Sequence, residues 1–136
     1  MKVVLDTNVL LSGLMYPSSV PGRIVEVWVA GRVDLVVSYA QLAEISRTLN
    51  YPKIRKITRW TDDRIEAFLR QLLLRAELVD TQDVDVEAPA DSTDTPILAS
   101  LVVSAADALV TGDNGLLALS QRYPIVTPAE FASRLS

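Results

Sequence analysis

Apolar positions along this chain recur with two periods, and each period marks a kind of element. Lys2 to Leu5 is a short β-branched run ending at Asp6, which predicts a buried strand with an Asp6-Thr7-Asn8 turn at its C-terminal tip. After a Tyr16-Pro17-Ser18-Ser19 loop, Ile24, Val27, Trp28 and Gly31 recur at helical spacing, with Gly31 a natural stop. Asp34 to Ser38 predicts a second strand. Ser38 is placed to cap a helix whose apolar stripe is Leu42, Ile45 and Leu49 and which Tyr51-Pro52 closes; Glu44 projects beside that stripe. Thr61 is placed to cap another helix, with Asp62 and Asp63 in its first turn and Ile65, Phe68, Leu69, Leu72 and Leu73 as its buried face.

Glu77 to Asp80 predicts a third strand, and Thr81 to Ser92, without an apolar period, an exposed acidic connector. Asp94-Thr95-Pro96 predicts a helix start, with Ile97, Leu98, Leu101 and Val102 as the apolar face. Ala108 to Thr111 predicts a strand, followed by Gly112-Asp113-Asn114-Gly115, a short helix near Leu116 to Ser120, a strand at Ile125 to Thr127 and a last helix from Pro128. Strands alternating with helices predict one domain over residues 1–136, an α/β sandwich around a largely parallel sheet. In such sheets the functional crevice lies at the C-terminal ends of the strands, where this reading puts Asp6 and Asp113.

Composition then narrows the chemistry. The chain has no cysteine and no histidine, which removes thiol nucleophiles, disulfides, zinc sites built on those ligands, serine–histidine triads and histidine acid–base catalysis. Carboxylates remain. No apolar run is long enough to cross a bilayer, and Asp6 interrupts the N-terminal run before it could serve as a signal-peptide core, so the expectation is a cytoplasmic protein with no membrane contact. The apolar share of 49% leaves surface for a dimer or partner contact.

The net charge of −4 argues against a nucleic-acid partner, but the charges are segregated. Eight of the thirteen basic residues fall between Arg47 and Arg75, and an acidic stretch follows them. Lys53, Arg55, Lys56 and Arg59 form the densest basic group, a candidate RNA contact or a solvated face. Trp28 and Phe68 read as core; Trp60, beside Arg59 and outside a clear stripe, is the stacking candidate.

Asp6, Glu44, Asp94 and Asp113 come from four separate elements that a parallel sheet can bring together. Carboxylates gathered in one cleft call for a hard divalent cation with oxygen ligands, Mg2+ or Mn2+. Each acid also has a plain reading. Asp6 and Asp113 suit turns, Glu44 could pair with Arg47 or Thr48, and Asp94 could be only an N-cap, with Asp91 as the ligand or neither. Asp107 reads as a helix-end or turn residue.

Four motifs in order, Val4-Leu5-Asp6-Thr7-Asn8-Val9, Ser38 with Leu42-Ala43-Glu44-Ile45, Asp91-Ser92-Thr93-Asp94, and Val110-Thr111-Gly112-Asp113 with Leu116-Leu117, resemble the successive signatures of PIN domains. The likeness runs toward the VapC-like toxin components of toxin–antitoxin pairs. It implies a PIN-like three-layer sandwich and an endoribonuclease in which Asp6, Glu44, Asp94 and Asp113 hold one or two Mg2+ or Mn2+ ions, supported by Thr7, Asn8 and Thr111. It also implies in-line hydrolysis of RNA to 5′-phosphate and 3′-hydroxyl ends, a cognate antitoxin and a homodimer.

One position departs from the pattern. Many relatives carry a further acid where this chain has Gly115, which weakens the second metal position. Two rivals stand beside the nuclease. A haloacid-dehalogenase-type phosphohydrolase needs an acid two residues after the first, where this chain has Asn8. A non-catalytic PIN scaffold would have no use for four acids that repel one another.

Overall fold

The structure, a computed structural model, describes residues 1–86 and 95–135. Its elements run β1 (Lys2–Leu5), α1 (Thr7–Met15), α2 (Val20–Val29), β2 (Asp34–Ser38), α3 (Tyr39–Leu49), α4 (Pro52–Thr58), α5 (Asp62–Arg75), β3 (Glu77–Val79), α6 (Thr95–Ser104), β4 (Ala108–Val110), α7 (Asn114–Leu117), β5 (Ile125–Val126) and α8 (Pro128–Ser133). The five strands form one sheet in the order β3-β2-β1-β4-β5, and every pairing is parallel. The sandwich expected from the alternation is therefore present, and the sheet is wholly rather than largely parallel.

The strands are apolar at consecutive positions because both faces are covered. Val3, Leu5, Leu35, Val37, Ala108, Val110 and Val126 join one buried cluster with side chains of α1, α2, α3, α5 and α8. Their neighbours Val4, Val36, Leu109 and Ile125 join a second cluster with Ile97, Leu98 and Leu101 of α6 and Leu116 of α7. Successive residues of a strand face opposite ways, so each strand serves both layers.

Local signals place the helices. Ser38 and Thr61 accept hydrogen bonds from the backbone N–H groups of Gln41 and Arg64 and so cap α3 and α5 as expected. Gly31, at φ +78°, ends the turn after α2. Two helices escaped the pattern. Thr7 begins α1 rather than continuing a turn, and the basic stretch after Tyr51 holds α4, which has no buried residue. Two face assignments are corrected as well: Leu73 and Val102 are exposed, because α5 and α6 turn them away from the sheet and bury Leu72 and Leu101 instead.

The helix α2 approaches closely both α1 and the loop that joins the two. A Cβ added at Gly13 would lie 2.6 Å from Val25 Cγ2, and one at Gly22 would lie 2.2 Å from the Pro17 carbonyl oxygen. Only hydrogen fits at either point. No helix among the described residues is long and apolar enough to cross a membrane.

Candidate active site

Asp6 occupies the N-cap position of α1 but does not cap it with its side chain. Its backbone N–H donates to the Val110 carbonyl at 2.9 Å, and its own carbonyl accepts from Val9 and Leu10, so strand and helix both fix the residue. The carboxylate is left to do something else. Asp6 is only 8% exposed, yet among the described residues its one protein donor is the Thr111 hydroxyl, 2.7 Å from Oδ2.

That hydroxyl ties two acids together. Thr111 follows β4 directly, is fully buried, donates to Asp6 and accepts from the backbone N–H of Asp113 at 3.0 Å. Asp113 in turn caps α7, its Oδ2 accepting from Leu116 N–H at 3.0 Å. Asp6 and Asp113 line one cleft of about 440 Å3 together with Asn8, Ser12, Gly112 and Pro128. Pro128 arrives there because Thr127 closes a capping box with Glu130 at the start of α8. Among the described residues the cleft is lined by two acids and no base, and none of the ion pairs, Lys2–Glu77, Arg55–Asp62 and Arg70–Glu66, reaches those acids.

The supporting residues divide by burial. Thr7 is buried and Asn8 is exposed at the cleft. Thr7 receives a hydrogen bond from a residue that the sequence pattern missed, Gln41, whose Nε2 donates to the Leu5 carbonyl at 2.6 Å and to Thr7 Oγ1 at 3.3 Å. Gln41 therefore brackets Asp6 on both sides along the chain. Its Oε1 is buried and has no partner among the described residues. The available signal was its spacing, one helical turn before Glu44 on the same face of α3.

Glu44 itself is exposed on α3, makes no ion pair among the described residues and does not line the cleft. Asp94 and its alternative Asp91 lie outside the described residues. Among the described residues no three acidic side chains are brought together closely enough to hold a metal ion. The cleft offers, among the described residues, two carboxylates, the amide of Asn8 and no positive charge. This oxygen-rich, base-free donor set fits a hard divalent cation. Gly115 lies within α7 and has no positive φ, so the expected extra acid is missing from a helical position.

The basic group is partly spoken for. Arg55 pairs with Asp62 at 2.8 Å and donates to the Trp60 carbonyl at 3.3 Å, and Arg59 is the left-handed residue ending α4 at φ 58°. Lys53 and Lys56 are exposed. Trp60 packs against Phe68 at 5.6 Å and is covered by the Arg64 guanidinium at 4.7 Å, which removes it as a free stacking platform. Trp28 is buried and Phe68 packs against it edge-on at 6.3 Å, as expected of core. Asp107 ties down the start of β1 by accepting from Lys2 N–H at 2.8 Å.

Fold and cleft together define an all-parallel α/β protein with acids gathered at the C-terminal edge of its sheet. A model of the PIN domain matches residues 2–115, from β1 into α7, and the chain belongs to the PIN-domain family. It is 38% identical over 55 residues to the uncharacterized protein MJ1680 of Methanocaldococcus jannaschii, a stretch that makes up 40% of this chain and 36% of that protein. This chain thus spans about a third of that curated relative. A chain of the crystal structure of VapBC2 from Rickettsia felis, bound there to a DNA fragment from their promoter, superposes with a TM-score of 0.56 at 16% identity. The match covers 93% of this chain and 98% of that one and shows the shared fold.

Proposed function

We propose that the protein is a divalent-metal-dependent endoribonuclease, with Asp6, Glu44, Asp94 and Asp113 as its acids. The observation that carries the reading is the buried Thr111 hydroxyl, held between the Asp6 carboxylate and the Asp113 backbone, two residues that line a cleft with no base among its described lining.

Asp6 and Asp113 would hold Mg2+ or Mn2+, with Asn8 at the rim and Glu44 and Asp94 completing the set. Bound there, the ion supplies Lewis-acid polarisation of the phosphodiester and favours deprotonation of the attacking water. The chain's own residues do the positioning. Thr111 orients the Asp6 carboxylate toward the cleft, and Gln41 fixes the backbone on either side of it. The chain has no histidine, and on this reading water and the cleft's carboxylates carry the protons.

The fold shared with a chain of a VapBC2 assembly supports a cognate antitoxin and with it a toxin role, and the proposal extends to a homodimer in the cytoplasm. Exposed Ile57, Leu73, Leu74, Val102 and Val103 supply apolar surface for such contacts. The deciding assay is cleavage of single-stranded RNA with Mg2+, Mn2+ or excess EDTA, with analysis of the product ends. Metal-dependent products with 5′-phosphates, abolished in Asp6→Asn and Asp94→Asn variants that melt as folded proteins, support the reading. Cleavage in EDTA, or 2′,3′-cyclic phosphate ends, overturns it.

A further inference from the structure

The C-terminal edge of the sheet carries a second cavity, on the other side of Asp6 from Asp113. Val4 pairs with Val36 and Ser38 with Val79, so continuing the registers brings Ser38 alongside Asp6 and Asp80 alongside Tyr39. Tyr39 and Asp80, with Ala40, Thr81 and Gln82, line a cavity of about 390 Å3. That volume lies within the range of roughly 300–1,000 Å3 usual for small-molecule sites. Only one strand spacing, about 4.8 Å, separates the β2 tip from the β1 tip that carries Asp6.

A lone exposed tyrosine needs no explanation. Tyr39 differs by its place: it is 56% exposed, packs into neither core cluster, and its hydroxyl has no partner among the described residues. Opposite it, Asp80 is held by its own turn, with Oδ1 accepting from Gln82 N–H at 3.0 Å, while Oδ2 has no partner among the described residues. A cavity lined by a tyrosine and an aspartate, with no basic residue among its described lining, is a poor place for a phosphate and a suitable one for a nucleobase.

We propose that this cavity is a nucleobase subsite, in which Tyr39 stacks a base flanking the cut and the Asp80 carboxylate accepts from that base's hydrogen-bonding edge. The assignment rests on the ribonuclease reading of the Asp6 cleft. Guanine suits it best, since its N1–H and N2–H groups stand side by side and can both reach a carboxylate. Uracil suits it worst, because its single N3–H is flanked by two carbonyl oxygens that the carboxylate repels. RNA crossing the edge would then place a base beside Tyr39 and its scissile phosphate beside Asp6.

The test uses the full chain and pentanucleotides of uridine with a single guanosine moved through each position, against an all-uridine control. Cleavage kinetics are followed with Mn2+, and fluorescence anisotropy in EDTA reports binding separately. Tyr39→Ala should raise KM and weaken binding roughly tenfold with kcat little changed, as expected for the loss of one stacked base. Tyr39→Phe should behave as the native protein, and Asp80→Asn should erase the preference for guanosine over uridine, weakening the guanosine substrates and improving the all-uridine control. Native KM, binding and base preference in Tyr39→Ala would overturn the subsite and leave the ribonuclease reading standing. If no RNA is cut with either metal, the ribonuclease reading falls, and equal binding by native protein and Tyr39→Ala then overturns the subsite as well.

Discussion

At the scale of single residues, the Thr111 hydroxyl has the most consequences for its size. Thr111→Val keeps the shape but strips Asp6 Oδ2 of its donor and Asp113 N–H of its acceptor. Leaving buried polar groups unpaired costs about 1–3 kcal/mol each, so the variant should melt earlier and lose most of its cleavage, whereas Thr111→Ser should retain both. Melting curves and cleavage rates on the three proteins check this. Asp6 and Asp113 were legible in the sequence because each closely follows an apolar strand, where a polar residue can face the crevice, whereas Thr111 entered only through the resemblance to PIN domains. Gln41 was not legible, since a glutamine inside an amphipathic helix looks like a solvated residue until the strand carbonyl it reaches is known. Trp60 was misjudged for a related reason: its partners Phe68 and Arg64 lie on the following helix, and no period links them to it.

At the scale of elements, the helix that follows Asp6 depends on two glycines. Replacing Gly22 with alanine sets a Cβ against the backbone of Pro17, which cannot give way as a flexible side chain would. Overpacking of this kind costs about 1–3 kcal/mol, and because α2 would be pushed from the loop that joins it to α1, Gly22→Ala should lower the melting temperature. Gly31→Ala would strain a left-handed turn instead, with nothing within 4 Å to meet the new Cβ. The helix α4 supplies another expectation. Lys53, Lys56 and Arg59 replaced together by Gln should weaken RNA binding across sequences and flatten its salt dependence, while Arg55→Gln should act on stability through Asp62 and the Trp60 carbonyl. Unchanged salt slopes would leave the stretch as a solvated face. Capped helices with one buried face, α3 and α5, could be read closely from the sequence, and so could β2, an apolar run between Asp34 and Ser38. The helix α1 could not, because burial of Val9, Leu10, Leu11 and Gly13 leaves it no polar stripe to set the period.

At the scale of the whole molecule, alternation of strands and helices was enough to read a parallel sheet, but not the strand order, which depends on pairings far apart in sequence. That order places β1 in the middle, with Asp6 at the crest between two cavities. An ion that binds only the folded cleft stabilises the entire domain, by roughly 2.7 kcal/mol at 100 times its dissociation constant. Melts of the native protein should therefore rise with Mn2+ and those of Asp6→Asn much less; equal shifts would place the ion elsewhere. The hydrogen bond from Thr111 to Asp6 also spans 105 residues. As the chain leaves the ribosome, β1 can find β2 early, but its other flank stays open until β4 has been translated. On the ribonuclease reading proposed above, the nascent chain carries its first acid throughout synthesis, yet cannot set that carboxylate in place until residue 111 has emerged.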